Sequence, residues 1–299
     1  SSSASDVNKS LAVSPPIIVA MSHRRAAPRR AAACAAALGA AALAAACAPA
    51  EGGLLGDVSD GSVTVGTTLD VPGLAGRDPG GRLDGLDIAL AEEALKRVAD
   101  QLGEEEPQIT WQPLAATDRD NALRGGEIDV VTGAFAPDAA ANPAVALAGP
   151  YLEAQPAYLG RAGELSGPAD AAGETWCVVA GSPEVAEVVS GPRPGRVLEL
   201  ASTRDCVESV RRGTVALVVA DAARLSGFER LAPESLETGR FDGTKPVAYG
   251  LAVHAGDDDA KAALDRALRE IEADGTLSRL VAEHLPGAEG VSAAAPGEE

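Results

Sequence analysis

The sequence predicts an α/β fold, because strand-like and helix-like runs alternate along the chain. The first strand is marked by apolar residues on alternate positions, Val63 and Val65, typical of a strand with one buried face. A loop rich in Gly, Pro and Asp follows, and then one face of a helix is marked by Leu86, Leu90, Ala94, Leu95 and Val98. The loop leaves the carboxyl end of the strand, which is where ligands bind in open α/β sheets.

The later elements continue this alternation. Further strands are expected over residues 108–114, 127–131, 155–160, 175–179, 214–220 and 246–253, and helices over 118–124, from 184 onward, 205–212 and 260–285. Residues 47–61 are small and polar with repeated Gly, which predicts a tether. The Gly-, Ala- and Glu-rich segment 287–299 predicts a disordered tail.

Composition and charge restrict the classes of function that the protein can have. The chain has 299 residues, 46% of them hydrophobic, enough for one large or two medium domains. A formal net charge of −19 argues against nucleic acid as a partner, because nucleic acid requires a basic face. The sequence has no Gly-rich phosphate loop, zinc-ligand spacing or nucleophile elbow. It therefore predicts a binding protein without a cofactor or metal, and not an enzyme; an enzyme that uses paired carboxylates is the weaker alternative.

The N-terminal region predicts export. Residues 1–20 precede the single Met at position 21 and are interpreted as an upstream or expression-derived segment. Residues 21–46 combine an Arg-rich start with an Ala-rich apolar run, the pattern of a signal peptide. The residues at 43–47, Leu-Ala-Ala-Ala-Cys, are similar to a lipobox and predict lipidation of Cys47. An ordinary cleaved signal or an uncleaved anchor remains as the alternative.

Cleavage before Cys47 would remove five basic residues and one acid, which takes the net charge from −19 to −23. A protein with this net negative charge is repelled by an anionic lipid surface, so membrane attachment is expected only through a covalently attached lipid. Cys177 and Cys206 remain as a pair in an exported chain, where disulfides persist, so a bridge is expected. Metal binding is the rival, but no second cysteine pair or nearby His supports it.

Five motifs, in the right order over residues 62–286, resemble the family 3 extracellular solute-binding proteins, the polar amino-acid receptors of ABC importers. They are Gly85-Leu86-Asp87 before a helix, the run from Ala122 to Val131, Leu147-Ala148-Gly149-Pro150-Tyr151, the run from Gly213 to Asp221, and Ala273-Asp274-Gly275-Thr276-Leu277. The resemblance implies a two-lobed periplasmic-binding-protein-like fold, with two mixed sheets flanked by helices and joined by two hinge strands. Lobe 1 is expected over 62–155 and 246–286, and lobe 2 over 156–245.

The resemblance also implies a function and a cellular location for the protein. It predicts a monomeric, extracytoplasmic, lipid-anchored receptor that captures a small polar solute, an amino acid or related amine, between its lobes. The receptor then delivers the solute to ABC permease subunits. A sensor or scaffold of the same fold that has lost amino-acid binding is the alternative.

The residues expected to contact the ligand lie at the strand ends and loops that match the family motifs: Asp70, Leu74, Phe135, Asp138, Gly181, Ser182 and Asp221. Asp221 matches the family's ammonium-binding Asp, although an Asp here also suits a helix cap. Gly181 and Ser182 precede a predicted helix. They are equally suited to bind an anion at the N-terminus of that helix or simply to cap it. Asp70 and Asp138 have turn roles as alternatives.

One departure from the family bears on the ligand. The family's carboxylate-binding Arg falls on Ala141, and no basic residue at all lies between Gly125 and Arg161. Three carboxylates, Asp70, Asp138 and Asp221, then favour a cationic or neutral solute over glutamate or aspartate. The alternative is that Arg119 or Arg224 enters the cleft and restores an anion site.

Overall fold

The structure, a computed structural model, describes residues 53–133, 145–182, 193–294 and 296–297. Several predictions therefore fall outside the described residues: the signal peptide, lipidation of Cys47, the ligand roles of Phe135 and Asp138, Ala141 in the place of the family Arg, and the helix from 184. None of the helices in the described part of the chain is long and apolar enough to cross a membrane.

The described chain contains short strands and helices in alternation. The strands are β1 (Ser62–Thr67), β2 (Gly76–Arg77), β3 (Leu83–Asp84), β4 (Gln108–Pro113), β5 (Val130–Val131), β6 (Val145–Ala154), β7 (Pro156–Arg161), β8 (Thr175–Val179), β9 (Arg196–Leu200), β10 (Leu217–Asp221), β11 (Leu236–Arg240), β12 (Val247–His254) and β13 (Val291–Ala293). The helices are α1 (Gly53–Ser59), α2 (Leu86–Leu102), α3 (Arg119–Arg124), α4 (Thr203–Arg211), α5 (Ala222–Leu231), α6 (Asp258–Ala273) and α7 (Thr276–His284).

The first lobe is built on a six-stranded sheet in the order β13-β6-β12-β5-β1-β4. Strand β1 is parallel to both β4 and β5, while β12 runs antiparallel to β5 and β6. Val63 and Val65 of β1 are fully buried, as the alternation predicts, and pack in one core with Leu90 of α2 and Leu264 of α6. The carboxyl ends of β1 and β5 thus lie side by side at one edge of this sheet.

The second lobe is built on a five-stranded sheet in the order β11-β7-β10-β8-β9. Strand β10 runs parallel to β8 and antiparallel to β7. A disulfide between Cys177 of β8 and Cys206 of α4 ties the helix to the sheet, which confirms the predicted bridge. The start of α4 is therefore fixed near the carboxyl end of β8.

The chain crosses between the sheets twice. Only Gln155 separates β6 in the first sheet from β7 in the second, and the return runs from β11 to β12. Two mixed sheets flanked by helices and joined by two strand crossings confirm the predicted fold class. Such a connection allows the lobes to move as rigid bodies about a hinge.

Three local predictions are wrong. Residues 53–59 of the predicted tether form α1, because Leu54 and Val58 lie one helical turn apart and both are buried in the core. Within the predicted disordered tail, β13 pairs antiparallel with β6. The single helix expected over 260–285 is divided into α6 and α7, since Gly275 adopts a left-handed conformation with φ of 81°.

Candidate functional site

The candidate site is a cleft where the carboxyl ends of the strands in the two sheets face each other. The first lobe lines it with Thr68, Asp70, Ala116 and Arg119, and the second with Val179, Ser202, Thr203 and Arg224. The lobes lie close together here, and the cavity among these residues has a volume of about 20 Å³. That is room for about one water molecule, so an amino acid enters only if the lobes separate or the side chains move.

Asp221 ends β10 and is completely buried. Its Oδ1 accepts a hydrogen bond of 3.0 Å from the backbone N–H of Arg224, so it caps the N-terminus of α5. Its Oδ2 lies 3.4 Å from Nε of Arg224, on the following turn. The capping role weighed for this residue is therefore present, and the same carboxylate also holds a guanidinium that lines the cleft.

Two buried arginines line the cleft, which is the alternative that the sequence left open for Arg119 and Arg224. Arg119 begins α3 in the first lobe with 3% of its surface exposed, and Arg224 lies in α5 of the second lobe with 6% exposed. Burial and repulsion from Arg224 lower the pKa of Arg119 to about 10, while Asp87 and Asp70 oppose that shift. Arg119 therefore carries positive charge at neutral pH, so the cleft contains basic as well as acidic side chains.

Asp87 lies behind the arginines in the first turn of α2, fully buried. Its Oδ1 accepts a hydrogen bond of 2.6 Å from the hydroxyl of Tyr151 in β6. Burial raises the pKa of the Asp87 carboxyl to about 6, although Tyr151, Arg119 and Arg224 all favour the ionised form. The carboxylate thus offsets part of the positive charge of the two guanidiniums.

The sequence places Asp87 by requiring glycine before it. Gly85 has φ of 135°, and a Cβ there would clash with the Leu74 carbonyl oxygen. Only glycine fits this backbone, which turns the chain into α2 at a fixed point. The motif Gly85-Leu86-Asp87 was recognised as a family signature, but its Asp was not predicted as part of the site.

The remaining predicted ligand contacts occupy different surroundings. Leu74 is 1% exposed and belongs to the core of the first lobe. Gly181 is exposed at the end of β8, and the hydroxyl of the half-buried Ser182 donates a hydrogen bond of 2.9 Å to the Val179 carbonyl. Asp70 is half-buried and bonds to the second lobe, as its carboxylate accepts from the backbone N–H of Thr203 at 3.0 Å.

Larger cavities and grooves lie outside the cleft. One groove of about 880 Å³ runs along α6 and is lined by Lys261, Asp265, Arg266 and Arg269. It is open to solvent, and it shares no lining residue with the cleft. Within the described residues, no group of three His, Cys, Asp or Glu side chains is arranged to hold a metal ion.

Comparison with known proteins adds independent information. Residues 63–287 match the model of the bacterial extracellular solute-binding proteins, family 3. The glutamate-binding protein GluB of Corynebacterium efficiens is 31% identical over 278 residues, covering 89% of this chain and 93% of that protein. GluB of Corynebacterium glutamicum is 32% identical over 251 residues, covering 80% of this chain and 84% of that protein.

Solved structures resemble the same region. An ancestral arginine-binding protein bound to arginine has a TM-score of 0.65 and 26% identity, and the match covers 76% of this chain and 99% of that one. A solute receptor for L-cysteine of Neisseria gonorrhoeae has a TM-score of 0.69 and 19% identity, with 80% and 95% coverage. With its two-lobed fold, its charged cleft and a family match that spans both lobes, the chain belongs to the bacterial extracellular solute-binding proteins of family 3.

Proposed function

We propose that this protein binds an amino acid with an acidic side chain, of the glutamate or aspartate type, between its two lobes. The observation that carries the proposal is the pair of buried guanidiniums, Arg119 from the first lobe and Arg224 from the second, at one cleft. Burying two like charges close together is costly, and an anionic ligand between them offsets that cost. The glutamate-binding relatives support the same class of solute.

The charges of the cleft suit each group of such a ligand. A free acidic amino acid carries one ammonium and two carboxylates. Arginine binds carboxylate through two parallel hydrogen bonds, so Arg119 and Arg224 can each take one carboxylate. The ammonium requires an acceptor, and Asp221 supplies a buried carboxylate on the second lobe. We infer that the bond between Asp221 and Arg224 rearranges when the ligand enters.

The proposal extends to transport. We infer that the protein is a lipoprotein attached through Cys47 and that it hands its solute to the permease of an ABC importer, without catalysis. The family assignment, the export signal and the lipobox-like residues at 43–47 support this role. We also propose that 62–155 with 246–286 and 156–245 are the bodies that move when the cleft opens, in line with the two sheets.

Isothermal calorimetry on the mature protein tests the ligand class, with L-glutamate, L-aspartate, L-glutamine and L-arginine as probes. We expect micromolar binding of an acidic amino acid, which Arg119→Gln weakens at least tenfold because a charge-assisted pair to the ligand is lost. Arg82→Gln is the matched control, since the exposed Arg82 side chain pairs locally with Asp78, four residues before it. Binding of L-arginine or amines alone would restore the cationic-solute hypothesis, and no binding of any probe would favour the sensor or scaffold.

A further inference from the structure

The loop after β1 connects the first lobe to the second at the mouth of the cleft. Asp70 Oδ2 accepts a hydrogen bond of 3.0 Å from the backbone N–H of Thr203, the first residue of α4. The carbonyl oxygen of Asp70 accepts a second bond of 3.3 Å from the Arg204 guanidinium. That guanidinium also lies over the ring of Phe228, 5.8 Å from its centre, so it is held against the second lobe.

The electrostatics of α4 favour this contact. A helix N-terminus carries unpaired N–H groups and a partial positive charge, both of which attract a carboxylate. Within α4, the Ser202 hydroxyl caps the N–H of Asp205 at 3.1 Å, and this leaves the Thr203 N–H to a group from outside the helix. Asp70, which belongs to the other lobe, is that group.

The same loop meets the second lobe at another point. Pro72 lies against the buried Gly227 of α5, and a Cβ at Gly227 would be 1.8 Å from the Pro72 carbonyl oxygen. The approach is therefore possible only with glycine at this position. Two residues of one loop, Asp70 and Pro72, thus touch the first turn of α4 and the middle of α5, two elements that move with the second sheet.

We propose that Asp70 is a positioning residue that holds the two lobes closed over the bound solute. The inference rests on the proposed function, in that the cleft between the lobes is where the solute binds. When the lobes separate, the bonds from Asp70 to Thr203 and Arg204 break. Asp70 therefore stabilises only the closed state, so its loss accelerates release of the solute and leaves capture by the open state unchanged.

Stopped-flow kinetics with L-glutamate on the mature protein tests this role. In Asp70→Ala we expect the dissociation rate to rise about tenfold, the effect of losing one hydrogen bond to a charged group, with the association rate within twofold of the unmodified protein. Asp70→Asn keeps an acceptor oxygen and is expected between the two. Asp78→Ala is the matched control, since it removes the same charge from the turn between β2 and β3, where the Asp78 carboxylate accepts hydrogen bonds from Arg82.

An unchanged dissociation rate in Asp70→Ala, or a loss confined to association, overturns the proposal. A further readout separates it from the proposed function. If L-glutamate fails to bind the unmodified protein, the ligand assignment is wrong, and the contact is then measured without ligand by hydrogen exchange at the Thr203 amide. Faster exchange at Thr203 in Asp70→Ala than in the unmodified protein and Asp78→Ala supports the contact, and equal exchange in all three overturns it.

Discussion

Replacement of Gly227 by Ala should separate closure of the lobes from stability of the fold. The added Cβ would lie 1.8 Å from the carbonyl oxygen of Pro72, whereas ordinary contact begins at 3.4 Å. The obstructing atom is backbone, so it cannot turn aside as a side chain would. The loop and α5 must therefore move apart by about 1.6 Å, the difference between these two distances.

That displacement is enough to break the contact beside it. The hydrogen bond from the Thr203 N–H to Asp70 is 3.0 Å long, and an added separation of about 1.6 Å takes it well beyond hydrogen-bond range. Loss of a hydrogen bond to a charged group costs about 1.5–3 kcal/mol, which weakens ligand binding roughly 10- to 150-fold. The helix itself gains, because Ala is favoured over Gly in a helix by about 1 kcal/mol.

We therefore expect Gly227→Ala to raise the Kd for L-glutamate at least tenfold while the thermal midpoint of the ligand-free protein does not fall. Calorimetry measures the Kd, and small-angle X-ray scattering should show a larger radius of gyration with ligand than in the unmodified protein. Gly56→Ala is the control, because Gly56 is also helical and a Cβ there meets no atom within 4 Å. Unchanged affinity and unchanged scattering in Gly227→Ala would refute the reasoning.

Two further predictions concern stability. Replacing Cys177 and Cys206 by Ala should lower the free energy of unfolding by about 3–4 kcal/mol, because the bridge closes a loop with a sequence separation of 29; a loss below about 1 kcal/mol in urea titration would contradict this. Burial and Asp129 raise the pKa of Asp57 to about 6 from 3.8, so the folded state binds the proton more tightly and stability falls as pH rises from about 4 to about 6. Asp57→Asn should remove this fall, so its stability advantage over the unmodified protein grows between pH 4.5 and 7.5. The gain should stay within about 1 kcal/mol because the carboxyl is largely solvated, and an equal difference at both pH values would argue against it.

The elements with a buried face could be predicted from the sequence, and the edges of the sheets could not. The strand expected over 175–179 coincides with β8, whose apolar residues are buried. By contrast, β9 at the sheet edge has no fully buried residue, so its pattern carries no strong signal. Strand β13 has only three residues, with the sequence Val-Ser-Ala, and it forms by pairing with the edge of β6. Such pairing depends on the rest of the fold.

For the candidate site, the position of Asp221 could be predicted because it follows an all-apolar strand directly. The burial of Arg119 and Arg224 could not be predicted, because it results from contact between two lobes whose residues are far apart in sequence. One local signal was present for Arg224, which lies three residues after Asp221, the spacing at which helical side chains pair. For Arg119 no comparable signal exists, because its neighbours in sequence are polar.

Strand β13 supports the first crossing between the lobes. It lies along β6 with Val291 opposite Ala154, and the Gly290 carbonyl accepts a bond of 2.8 Å from the N–H of Gln155, in the crossing itself. The segment therefore stabilises the hinge. The composition of residues 287–299 suggests that they could be removed, but a protein that ends at residue 286 would lack β13 and would expose the part of the β6 edge that β13 covers. The edge uncovered in this way comprises Leu152, Glu153 and Ala154, and an exposed strand edge is a template for pairing with a second molecule, so the shortened protein would be prone to self-association.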